Sequence, residues 1–150
     1  MKNTIVALAA ALGTLAALPA AAQFQKPEDA VKYRQSAMAL QGNHLGRLFG
    51  MANGRVPYDA KVAAEQIEIV AVLNRLQFAA FTDGTDKVAN TKAKPEIWSQ
   101  KDKWNAAVAK SQDDVAKLVA AGKVGTVDAL KAAVGPVGAG CKGCHDDFRN

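Results

Sequence analysis

The sequence predicts an all-α chain folded as an antiparallel four-helix bundle, on three observations. Apolar residues recur at helical spacing in four segments. No alternating run of Val, Ile, Thr and aromatic residues, bounded by turns, is present to make a strand. The connections between the segments are modest in length, which suits neighbouring helices running antiparallel within one domain.

The bundle does not use the whole chain of 150 residues. The opening MKNTIVALAAALGTLAALPAAAQ has a basic Lys2, then an uncharged apolar run over residues 5–18, then Pro19 and small residues at Ala20 and Ala22. This is the pattern of a secretory signal peptide cleaved before Gln23. The run falls short of the roughly 20 apolar residues that a spanning helix needs, which argues against an anchor. Residues 1–22 are therefore the expected signal peptide, and residues 23–150 the expected domain, exported to a periplasm. There a cysteine pair could oxidise to a disulfide. With 19 basic and 14 acidic residues the net charge is +5, but the basic residues are scattered. That pattern argues against a nucleic-acid partner. No second long apolar run follows, so no stable membrane insertion is expected.

The first helix is expected from Pro27 to about Ala52. Proline suits a first turn because its missing N–H has no partner to lose there. Glu28 and Asp29 favour the positive end of the helix dipole, and Asn53-Gly54 stops the run. The second follows Asp59, a candidate N-cap. Its stripe is Val62, Ile69, Leu73, Leu76 and Ala80, widened by Ile67 and Val70, broad enough for burial against both the core and a partner subunit. Residues 82–94 are polar and turn-rich and read as a loop, and Pro95 opens a short turn. Ser99 is the candidate cap of the third helix, which carries Trp104, Val108, Val115, Leu118 and Val119 and stops at Gly122. Thr126 caps the fourth, with Val127, Leu130, Ala133 and Val134 on its stripe. Pro136 should kink or break that helix, because it removes a hydrogen bond and crowds the carbonyl of Ala132.

The chemistry gathers in the last ten residues. Cys141-Lys142-Gly143-Cys144-His145 is a C-x-x-C-H motif, the attachment signature of c-type haem. On a helix these positions share a face, so two thiols can bond the haem vinyls while the adjacent imidazole reaches the iron. The competing readings are weaker. A structural zinc site wants four N/S ligands, and the second histidine, His44, lies almost a whole chain away. A disulfide between Cys141 and Cys144 is possible in this compartment, but a thioredoxin-like redox motif would sit near a βαβ unit that this sequence lacks. Haem c near the C-terminal helix is the expected cofactor.

The stretches QKPEDAVKYRQSAMAL, NHLGRL, PYDA, PEIWS and CKGCHDDFR together resemble the class II c-type cytochromes, in particular the cytochrome c′ family. The resemblance covers residues 23–150. It implies a left-handed four-helix bundle, a homodimer, and a five-coordinate, high-spin iron with an apolar distal side. It also implies electron transfer with a redox partner the sequence does not name, binding of NO and CO, and no enzyme activity. By position it makes Cys141 and Cys144 the thioether cysteines and His145 the axial iron ligand. Arg149 becomes a basic neighbour of the proximal face, Arg34 and Gln35 contacts of a haem propionate, Met38 the residue over the open iron face, and Phe78 and Phe81 aromatic neighbours of the haem. Gly135-Pro136 departs from the family pattern.

Two readings of Met38 stay open. It shares a stripe with Arg34 and Leu45, so it could pack over an empty axial position as methionine often packs in cores. It could equally be a sixth ligand, as in the low-spin members of the class, which would make the protein an electron carrier alone. His44, six residues on, points about 240° away around the helix and reads as a surface or interface histidine. Arg34 offers a planar fork suited to a carboxylate, and Arg149 could instead complement the negative end of the last helix. Trp98 and Trp104 read as packing residues. A peroxidase would need a distal acid–base group, and no His, Asp or Glu accompanies Met38 on its stripe.

Overall fold

A computed structural model of the chain describes residues 23–150. The expected signal peptide and its cleavage site lie outside the described residues. Helix α1 spans Pro27–Ala52, α2 Ala60–Ala79, the single turn α3 Glu96–Ser99, α4 Lys101–Val124 and α5 Val127–Phe148. α1 packs on α2 and α5, and α4 packs on the same two helices from the other side, which closes the four-helix ring; α3 rests on α4. Among the described residues the one β feature is an isolated antiparallel bridge between Ala93 and Arg149.

The caps explain the boundaries. Asp59 accepts a hydrogen bond from the Val62 backbone N–H at 2.9 Å and starts α2, and Thr126 does the same for Ala129 at 3.3 Å and starts α5. Ser99 does not cap α4. It closes α3, and Gln100 begins the long helix without a side-chain bond. α4 also runs past Gly122 to Val124 and stops at Gly125, whose φ of 71° is the left-handed conformation that glycine adopts freely. Gly122 serves instead for close packing: a Cβ there would sit 3.0 Å from Cδ1 of Ile67.

α5 is not broken at Pro136; it continues through it to Phe148. Three features make this tolerable. Gly135 has no Cβ to clash with the proline ring. Both residues are exposed, and so is Ala132, so water can reach the carbonyl that loses its partner.

The core cluster joins Leu45, Leu48 and Met51 of α1 with Ile67 and Val70 of α2, Val115 and Leu118 of α4, and Leu130, Val134 and Val137 of α5. The expected stripe of α2 is only partly buried: Ile67, Val70 and Ala80 face the core. The buried face of the helix consists of Ala63, Gln66, Ile67, Val70, Ala71, Asn74 and Gln77, whereas Val62, Ile69 and Leu76 are exposed, together with Val72. α2 carries apolar residues around most of its circumference, so hydropathy alone did not mark the core side.

Candidate functional site

The site grows from the end of the bundle where α1 and α4 begin and α2 and α5 finish. α5 brings Cys141, Cys144 and His145 to one face. α1 brings Arg34, Gln35, Met38, Gln41 and Leu45, at helical spacing, to the facing wall. Between them lies a cavity of about 700 Å³, bounded also by Phe78 and Phe81 of α2 and Trp104 of α4. All nine residues singled out from the sequence line this one cavity: Arg34, Gln35, Met38, Phe78, Phe81, Cys141, Cys144, His145 and Arg149.

Aromatic rings floor the cavity. Trp104 stacks obliquely on Phe81 at 4.7 Å between centroids and meets Phe78 and Phe148 edge-on at 5.9 and 5.3 Å. Trp104 is thus a wall of the site as well as packing. Its spacing with Val108 fits plain core packing, and nothing local distinguishes the two roles.

Arg34 is the structural knot. Its side chain is buried, and its guanidinium donates to the Ala80 carbonyl at 3.0 Å, to Thr85 Oγ1 at 2.8 Å, to the Thr85 carbonyl at 3.4 Å and to Thr91 Oγ1 at 2.8 Å. It also lies 4.3 Å from the Phe81 ring centroid. These bonds tie α1 to the end of α2 and to the loop beyond it. No carboxylate of the described residues pairs with the charge, and burial pushes the guanidinium down to about 10. Gln35 donates to the Asn90 carbonyl at 3.1 Å on the same side.

The C-terminus is pinned from the loop. The Lys94 ammonium donates to the carbonyls of Asp146 and Asp147 at 3.0 and 3.3 Å, and the backbone N–H of Asn150 donates to the Lys92 carbonyl at 2.9 Å. A cation at the last carbonyls of a helix complements its dipole. Lys94 fills this place, which leaves the Arg149 charge beside His145. Burial first, and then Arg149, holds the imidazole below its ordinary value, against the opposing pull of Asp146. The ring is therefore neutral at neutral pH, the form that binds a metal.

Cys141 and Cys144 are free, half-buried thiols. Burial raises both above their ordinary value, so neither is activated as a nucleophile toward other disulfides. Among the described residues no three His, Cys, Asp or Glu side chains come together as a metal site. His44 lies outside this cavity, on the α1–α2 contact, where its Nδ1 is 2.7 Å from Gln66 Oε1.

Gln41 is absent from the motif and from the resemblance, yet it lines the cavity. It is 3% exposed, and neither atom of its amide has a hydrogen-bond partner. An unsatisfied buried polar group costs about 1–3 kcal/mol. The sequence signal was a polar residue between the apolar Met38 and Leu45 on the stripe that Arg34 begins.

These features fit a haem. The walls offer two unpaired thiols and a neutral imidazole on one helix face, an aromatic floor, and a buried cation without an acid. The volume falls within the range of small-molecule sites, about 300–1,000 Å³. A family model described as cytochrome C' matches residues 29–149. Cytochrome c' of Rubrivivax gelatinosus is 54% identical over 127 residues, which span 85% of this chain and 98% of that protein. Its crystal structure matches with a TM-score of 0.83 at 53% identity, covering 85% of this chain and 100% of that one. A ferrous variant of cytochrome c prime from Alcaligenes xylosoxidans with bound NO matches with a TM-score of 0.80 at 44% identity, covering 85% of this chain and 98% of that one. The chain belongs to the cytochrome c′ family, whose members carry covalently attached haem c.

Proposed function

We propose that this is a periplasmic haem c protein with a five-coordinate, high-spin iron, which exchanges electrons and binds NO and CO on the α1 side of the haem. The observation that carries the reading is the single cavity of about 700 Å³ that joins the C-x-x-C-H face of α5 to the Met38 face of α1. Haem attached here would supply an iron able to exchange one electron and to take a diatomic ligand.

The chain supplies everything else. Cys141 and Cys144 form the thioether tethers, and His145, held neutral, is the axial ligand. Phe78, Phe81 and Trp104 line the cavity and would exclude water from a haem held there. Arg34 cannot offer a free fork to a propionate, because both of its terminal nitrogens are already bonded. It supplies charge instead: a propionate near this buried cation would be the anion that it lacks. Gln35 holds the Asn90 side of the mouth and Arg149 lies beside the imidazole. Among the described residues no Asp or Glu lines the cavity, and the cytochrome c' relatives support reading the protein as a carrier and ligand binder. The NO complex of the Alcaligenes xylosoxidans relative supports gas binding. The exposed apolar face of α2, with Val62, Ile69, Val72 and Leu76, supports a homodimer, which sedimentation of the haem protein tests. No helix of the described residues is long and apolar enough to cross a membrane.

The second reading rests on Met38, half-buried in the wall of the cavity. A bond from its sulfur to the iron would make a low-spin electron carrier that excludes gases. An absorption spectrum of the ferric protein decides. A high-spin spectrum, unchanged in Met38→Leu, is expected. A low-spin spectrum that turns high-spin in Met38→Leu would overturn the open site.

A further inference from the structure

We propose that Gln41 donates a hydrogen bond from its side-chain amide to a small ligand held on the α1 side of the cavity. The ligands it would favour are those whose outer atom carries negative charge. The inference rests on the haem reading above and deepens it.

Gln41 sits one turn after Met38 on α1, at a spacing that keeps both on the wall facing His145. Its amide is buried and unpartnered on both atoms. The other polar groups of that wall are engaged. Arg34 is bonded to Ala80, Thr85 and Thr91, and Gln35 to Asn90. On the flanking wall Ser111 accepts from Asn74 at 2.9 Å. A buried amide is normally satisfied by protein or by something bound beside it. In a pocket this apolar, an amide donor bonds more strongly than it would in water, and it is selective for the ligand that can accept. Such a ligand is small, because Met38 and Leu45 flank the amide along the helix.

The test uses the haem-loaded protein in the ferrous state under carbon monoxide, read by infrared spectroscopy. A donor beside the outer oxygen draws electron density onto it and weakens the C–O bond. Gln41→Met, close in volume and without a donor, should therefore raise the C–O stretch. It should also speed carbon monoxide dissociation about two- to tenfold, the worth of one net hydrogen bond. Gln77→Met removes the other buried glutamine amide that lines the cavity, on the α2 wall, and tells whether that amide is the donor instead. In the wild type the stretch should shift on transfer to D2O. That measurement stands even if the Gln41 variant fails to load haem. Three results would overturn the proposal: an unchanged stretch in Gln41→Met that keeps its haem, a shift that follows Gln77 instead, or no D2O shift. A rise in thermal midpoint with the same stretch would likewise make Gln41 a packing residue only. Failure of haem attachment in the wild type, or failure to bind carbon monoxide at all, would instead strike the function proposed above.

Discussion

At the end of the bundle that carries the α1–α2 and α4–α5 turns, Leu48, Ile67, Leu118 and Leu130 are fully buried and the helices meet closely. Both connections there are short, and both helices that start there have side-chain caps, from Asp59 and Thr126. At the opposite end the connection from α2 to α4 runs over some twenty residues, Lys26, Pro95 and Gln100 begin their helices without side-chain caps, and a cavity remains. Three polar side chains, Arg34, Gln41 and Gln77, are buried around it. One end completes its own core, and the other is shaped around a missing piece. The difference implies that the cofactor is part of the second end's core, and the two ends should respond differently to substitution.

The largest effect should come from removing the tether. Cys141→Ser with Cys144→Ser should abolish covalent haem, so that acid extraction leaves no colour with the polypeptide. Losing a tightly held ligand should lower the unfolding free energy by on the order of 4 kcal/mol or more. Hydrogen exchange should show the loss first in residues 80–95 and at the end of α5, with the Leu118 end still protected. Uniform loss over the whole chain would break the distinction between the ends. Leu118→Ala is the converse. A fully buried leucine cut to alanine should cost about 2–5 kcal/mol in chemical denaturation and leave the haem spectrum unchanged.

The same contrast governs what the sequence disclosed. Asp59, Thr126 and the Asn53-Gly54 stop act locally, so the residue types sufficed to place them. The C-x-x-C-H face was legible because its chemistry is confined to one helical turn. Arg34 was legible as a residue of the α1 stripe that lines the cavity but not as a knot, because its partners at Ala80, Thr85 and Thr91 lie about fifty residues along and depend on the loop's path. Gln41 was illegible because only the packed neighbours reveal that its amide has no partner. The wide stripe of α2 was legible, but not which part of it faces the core, because apolar residues encircle that helix. At Pro136 the helix is not broken, since exposure lets water reach the carbonyl that loses its bond.

Arg34→Met sharpens the account of the open end. Methionine keeps an apolar stem in place of the arginine's but offers nothing to the Ala80 and Thr85 carbonyls. The loss should be about 2 kcal/mol, less than for Leu118→Ala, since an uncompensated buried charge leaves with the bonds. Exchange in the 80–95 loop should quicken while α4 near Leu118 does not change. A variant as stable as the wild type would mean that the loop is held by the Lys94 and Asn150 contacts alone.

The smallest effect, Thr126→Ala, isolates the closed end. The hydroxyl accepts the Ala129 N–H at 3.3 Å and satisfies one of the free donors at the start of α5. Its removal should cost about 1 kcal/mol. Gly125, already in the left-handed conformation, still fixes the path of the turn, so the loss should not spread. The C–O stretch and the redox potential report on the other end of α5, separated from Thr126 by the packed Leu130, Val134 and Val137 layers. Both should stay at their wild-type values while the denaturation midpoint falls. If either moves with the cap, α5 transmits strain along its length through Pro136, and the two ends form one cooperative unit instead of two differently stabilised ones.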